Sequence, residues 1–135
     1  MIDVGDDGEV IQDIQLLVNT FYNKVKTDET IGFFFTDVVK VNWEKHLPVM
    51  YHFWENALFY TGAYEGNPME IHKSLHNIAP LSPQHFKQWL HLFNTTADEL
   101  FKGKTASLAK QRALSIATVM QVKIISEYSA ADNIF

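Results

Sequence analysis

Apolar residues recur at three- and four-residue steps along most of this chain, the period of helices that each bury one face. From Val10 to Val25 the stripe is Ile11, Ile14, Leu17, Val18, Phe21, Tyr22 and Val25, which turns the Tyr22 phenol inward among core residues. Asp28-Glu-Thr-Ile-Gly32 breaks the period. The Phe33-Phe34-Phe35 segment after it is apolar enough to demand burial, on a turn or a brief helix. Asn42 suits a helix cap, and His46, Met50, Phe53 and Ala57 then share one face of a second long helix. Pro48 lies inside that helix, where it removes a backbone hydrogen bond, so a bend or a late start is expected.

The next boundaries are written in cap chemistry. After a loop from Thr61, Asn67 precedes Pro68 and Glu70, which reads as N-cap, N1 proline and capping glutamate of a short helix that carries His72. Ser82-Pro83 repeats the signal and opens a helix striped by Phe86, Trp89, Leu90, Phe93, Thr96, Ala97, Leu100 and Phe101. Trp89 faces inward on it, and Gly103 reads as its C-terminal stop. A last helix from Thr105 buries Leu108, Ala109, Ala113, Ile116, Val119, Met120 and Ile124, with Arg112 as a structural residue. Strand-like alternation, repeats and linkers are all missing from this pattern. The expectation is a single all-α domain over 1–135, with tails at 1–9 and 126–135.

Composition removes whole classes of function. At 135 residues, 47% of them hydrophobic, the chain can bury a core without staples. A net charge of −5 with no run of Lys or Arg argues against nucleic acid as a partner. The absence of cysteine excludes disulfides, thiolate metal sites, iron–sulfur clusters and cysteine nucleophiles. The first residues are acidic where a signal peptide is basic and then apolar, and no apolar stretch is long enough for a membrane span, so a cytoplasmic protein is expected.

Buried polar groups cost free energy unless they are partnered, so inward polar side chains mark where chemistry can sit. Tyr22, His46 and Trp89 lie on the stripes, and His72 on the short helix. His76, four residues beyond His72, shares its face, which leaves a two-histidine metal site as one reading. The HExxH pattern is absent, because Lys73 follows His72. A carboxylate di-iron bundle needs two Glu-x-x-His motifs, yet the residues three after Glu44, Glu55, Glu65 and Glu70 are Leu47, Leu58, Pro68 and Lys73. A cofactor-free helical interaction module is a further reading, though it has no reason to place Tyr, His and Trp donors inside. His52, His85 and His91 read as surface or packing residues.

Five motifs narrow this choice. Phe21-Tyr22, Trp43-Glu-Lys-His46, Phe53-Trp54, Tyr64-Glu-Gly-Asn-Pro68-Met-Glu-Ile-His72 and Phe86-Lys-Gln-Trp89-Leu-His-Leu-Phe93 follow one another in an order and register that resembles the group III truncated haemoglobins, from about Ile14 to Met120. The lack of a Gly-Gly pair, which truncated globins of groups I and II typically carry, favours group III.

The resemblance implies a truncated globin fold, a 2-on-2 helical sandwich around haem b, with His72 as the proximal ligand of a five-coordinate iron. A ligating imidazole normally donates its other N–H to a carbonyl or carboxylate. The resemblance also places Tyr22, His46 and Trp89 on the ligand side, where three donors would meet the partial negative charge of dioxygen. Met50, Phe53 and Trp54 would pack on the porphyrin, and His76 is a candidate for a haem propionate. Dioxygen, nitric oxide and carbon monoxide are the expected partners. Turnover as a nitric oxide dioxygenase or peroxidase-like enzyme would need a separate reductase.

Overall fold

The computed structural model describes residues 7–59 and 66–126. Among them run five α-helices: α1 (Asp7–Val25), α2 (Trp43–Phe59), α3 (Pro68–Ile78), α4 (Pro83–Leu100) and α5 (Lys104–Gln121). Two π-helical turns, Phe34–Val38 and Val122–Ser126, complete them, and no strand occurs among the described residues. Most of the loop expected from Thr61, with Tyr64 and Glu65, and the tail beyond 126 lie outside the described residues. At the other end α1 begins at Asp7, inside the segment expected as a tail.

α1 buries the predicted face: Ile14, Leu17, Val18, Phe21, Tyr22 and Val25 are all inside. The turn after it is held by Asp28, whose carboxylate accepts the N–H groups of Thr30 and Ile31 at 3.0 Å each. Gly32 is required there by close approach, since a Cβ would stand 2.9 Å from the Val25 carbonyl oxygen. Of the three consecutive phenylalanines only Phe34 is fully buried. Phe35 is half-buried and Phe33 is exposed, because a single π-helical turn cannot aim three successive side chains at one core.

α2 starts directly after Asn42, whose carbonyl accepts the His46 N–H at 2.9 Å. It runs through Pro48 to Phe59, so the proline does not delay its start. α3 and α4 begin as their caps predict. Asn67 Oδ1 accepts the Glu70 N–H at 3.2 Å, and Ser82 Oγ accepts the His85 N–H at 3.4 Å. Gly103 is a correction: α4 ends at Leu100, and Gly103, with φ of 108°, is the N-cap of α5. Val119 is a second one, lying exposed while Met120 and Ile124 are buried.

α1 packs on α2 and α4, α4 on α5, and α2 on α5. The centre is aromatic: Phe93 stacks between Trp54, at 4.7 Å, and Trp89, at 5.8 Å, with Phe21 edge-on at 5.5 Å. Polar ties hold the layers in register. Tyr51 donates to Asn19 Oδ1 at 2.5 Å between α2 and α1, Arg112 Nε to the Ala57 carbonyl at 3.1 Å between α5 and α2, and Gln88 Nε2 to Asp28 Oδ1 at 2.8 Å. α3 packs mainly against the closing π-helical turn. What separates it from the other helices is a cavity.

Candidate functional site

The cavity has a volume of about 320 Å³ and every α-helix contributes to its wall, a size in the range of small-molecule and cofactor pockets. Its apolar wall includes Met50, Phe53 and Trp54 of α2, Leu75 of α3, Phe86 of α4 and Met120 of α5. The polar side chains that line it are Tyr22, His46, His72, His85 and Trp89, with no lysine, arginine or carboxylate among the described lining residues.

His72 stands in the first turns of α3, so the Asn67 cap and Pro68 fix its backbone. Its Nδ1 lies 2.6 Å from the Pro68 carbonyl oxygen. A carbonyl can only accept, so Nδ1 carries the proton and the Nε2 lone pair is left free. No described residue bonds Nε2. A neutral imidazole with one nitrogen anchored and the other bare is the form that ligates a metal.

Tyr22 and His46 meet on another part of the wall, their ring centroids 5.3 Å apart. Phe21 joins Trp89 to them, 4.9 Å from Tyr22 and 5.7 Å from Trp89. His46 Nε2 is buried without a partner. The Tyr22 and Trp89 side chains line the cavity beside it, with no hydrogen bond to a described residue. Burial pushes the Tyr22 phenol above its ordinary range, so it remains a donor. Burial, and after it the coulombic repulsion between the two imidazoles of His46 and His72, pushes the His46 imidazole below its ordinary value and favours its neutral form. A buried, unpartnered His46 Nε2 is costly in a free-standing core, and the Tyr22 and Trp89 side chains border the same apolar cavity. Their presence is what a partly negative occupant would reward.

His76 is placed elsewhere. It is buried, its Nδ1 accepts the Leu81 N–H at 2.8 Å, and it does not line the cavity. Its position is that of a brace for the turn between α3 and α4. Among the described residues no cluster of three histidines or carboxylates could hold a metal ion. His85 is the residue that sequence reading missed. It lines the cavity, and its Nδ1 accepts the Ser82 N–H at 3.0 Å to complete a capping box with Ser82. The signal was Ser82 three residues before a side chain able to return the bond, with histidine where glutamate is usual.

A two-layered helical fold around a histidine-bearing apolar cavity defines a globin. The family model for bacterial-like globins matches residues 7–125, and the chain belongs to that family. It is similar to the group 3 truncated hemoglobin ctb of Campylobacter jejuni, with 28% identity over 113 residues that span 82% of this chain and 87% of the relative. The crystal structure of a group III truncated hemoglobin from Campylobacter jejuni superposes with a TM-score of 0.79 at 25% identity, covering 92% of this chain and 95% of the other. Globins are haem proteins, and membership supports a haem-binding chain. No described helix is long and apolar enough to cross a membrane.

Proposed function

We propose that the chain binds haem b, with His72 Nε2 on the iron, and holds dioxygen or another diatomic molecule beside Tyr22, His46 and Trp89. The observation that carries this reading is the placement of an Nδ1-anchored His72 on one apolar cavity with the unpaired His46 Nε2 and the Tyr22 and Trp89 side chains. Bound haem supplies an iron that takes up a diatomic ligand and passes electron density to it. The chain's own residues do the rest. The Pro68 carbonyl sets the His72 tautomer and raises the basicity of Nε2. Met50, Phe53, Trp54 and Phe86 supply the apolar contact a flat macrocycle needs and keep water away from the donors.

In that dry setting each N–H or O–H aimed at a partly negative ligand is worth roughly 1.5 to 3 kcal/mol, or about ten- to a hundredfold in affinity. Most of that gain lies in slower release. The neutral His46 offers a donor without bringing a charge into the cavity. Tyr22 and Trp89 cannot lose their protons near neutral pH, so the donor set is constant over the physiological range.

Absorption spectra of the ferric, dithionite-reduced and carbon monoxide-treated protein test the reading. The parent should show a haem Soret band that shifts with carbon monoxide. His72→Ala should lose haem or change that spectrum, with added imidazole restoring it. A colourless protein that takes up no added hemin would overturn the proposal, and an unchanged spectrum in His72→Ala would remove His72 as the ligand.

A further inference from the structure

Tyr22 and His46 share a neighbour that does not line the cavity. Trp43, the first residue of α2, lies 5.5 Å from the Tyr22 ring and 5.7 Å from the His46 ring, and stacks on Phe35 at 6.0 Å with 21° between the planes. Phe35 in turn meets Tyr22 at 5.8 Å. Each ring of this group touches at least two others, so the four brace one another. On its other contacts Trp43 meets a cation: Lys26 Nζ lies 4.5 Å from the centre of its ring. Lys26 comes one helical turn after Tyr22, and its backbone N–H bonds the Tyr22 carbonyl at 3.0 Å. Tyr22 and Lys26 therefore approach the same indole from one short stretch of chain.

Neither Tyr22 nor His46 makes a side-chain hydrogen bond to a described residue. A donor is useful only when it is held in place before the ligand arrives, so the orientation of these two must come from ring packing. Edge-to-face contacts of the kind Trp43 makes with His46 are directional enough to supply it. The Lys26 ammonium adds a cation–π contact that holds the indole in turn.

We propose that Trp43, with Lys26 against its ring, is a positioning residue that fixes the Tyr22 hydroxyl and the His46 imidazole for donation to a small ligand in the cavity. The inference rests on the ligand-side reading of those two residues, and the test separates the two. Dioxygen release from the ferrous, haem-loaded protein is followed by stopped-flow displacement with carbon monoxide, and the infrared stretch of bound carbon monoxide reports the field of the donors. Trp43→Ala should speed release by about tenfold and split or broaden the infrared band. Trp43→Phe, which keeps a ring on Phe35, should stay within about twofold of the parent. Lys26→Gln should move release in the same direction by less.

In a Tyr22→Phe, His46→Leu background the effect of Trp43→Ala should vanish. Its persistence there in full would mean that Trp43 acts on the fold or the cofactor, and would overturn the proposal. So would release at the parent rate in Trp43→Ala while Tyr22→Phe accelerates it. If Tyr22→Phe itself changes nothing, the ligand-side reading fails and this inference fails with it. Should Trp43→Ala not fold, Lys26→Gln decides in the same two backgrounds: acceleration confined to the parent background supports the proposal, and none overturns it.

Discussion

Phe93 on α4 has 1% of its surface exposed and is held by Phe21, Trp54 and Trp89, whereas His72 on α3 is half-buried and its hydrogen bond returns to its own helix at Pro68. The two positions are stabilised in different ways. Around Phe93, rings of α1, α2 and α4 interlock side chain against side chain, and Trp54 and Trp89 turn their other contacts to the cavity. Around His72 the local chemistry of α3, an Asn67 cap and an N1 proline, sets the backbone, while the inner face of the helix meets the cavity. Ile71, 63% exposed, lines the cavity on that side. A finished core thus carries one wall of the site, and a helix that relies on its own caps carries the other.

Two phenylalanines test that difference most severely. Phe93→Ala should cost roughly 3–5 kcal/mol in denaturant unfolding, as a large cavity opened in close packing does. Phe53→Ala on the cavity wall should cost less than half as much in haem-free protein, because the ring already borders space. With haem bound the gap should narrow. An equal cost for both in haem-free protein would show that the cavity wall is core, and the comparison would break.

The two caps give a smaller and more pointed test. Asn67→Ala and Ser82→Ala each remove an oxygen that accepts an N3 backbone N–H, at 3.2 Å and 3.4 Å, and each should cost about 1 kcal/mol. α4 is held by packing on both sides, so Ser82→Ala should leave hemin release to apomyoglobin within about twofold of the parent. Asn67→Ala loosens the helix that carries His72, and should speed hemin release several-fold for the same nominal loss of a cap. Equal hemin release in the two variants would show that α3 does not rely on its cap.

These contrasts also explain what could be read from the sequence. The helices were legible because their stripes and caps are local: Asn67-Pro68 and Ser82-Pro83 announce α3 and α4 without reference to anything distant. Gly103 was not. A glycine between two helices can close one or open the next, and only the backbone, with φ of 108°, decides for α5. Tyr22, His46 and Trp89 could be placed inward by period alone, yet the cavity they share is made by helices far apart in sequence. His76 shows the limit most plainly. Its spacing from His72 suggested a shared site, while the Leu81 N–H, brought round by the turn before α4, takes its Nδ1. His85 was announced only by a capping-box spacing with an unusual residue at its third position, and the contacts of Trp43 with Tyr22 and Phe35 join parts of the chain that no spacing rule relates.

Acid should loosen the cavity side while sparing the core. Burial lowers the pKa of His46, helped by coulombic repulsion from His72, and burial lowers that of His85. Both imidazoles line the cavity. Below the ordinary imidazole value of about 6.5 the unfolded chain binds more protons than the folded one, so stability rises with pH in that window. The contribution of these histidines is complete above that value and is lost as pH falls through the lowered folded values. Haem-free protein should therefore unfold at lower denaturant concentration at about pH 5.5 than at about pH 8. His46→Gln, which removes one titrating wall group, should flatten this dependence. Phe93→Ala should lower the whole profile and leave its slope intact, since no titrating group belongs to that aromatic stack. If Phe93→Ala flattened the slope as His46→Gln does, the wall and the core would be coupled as one unit, and the division between them would not hold.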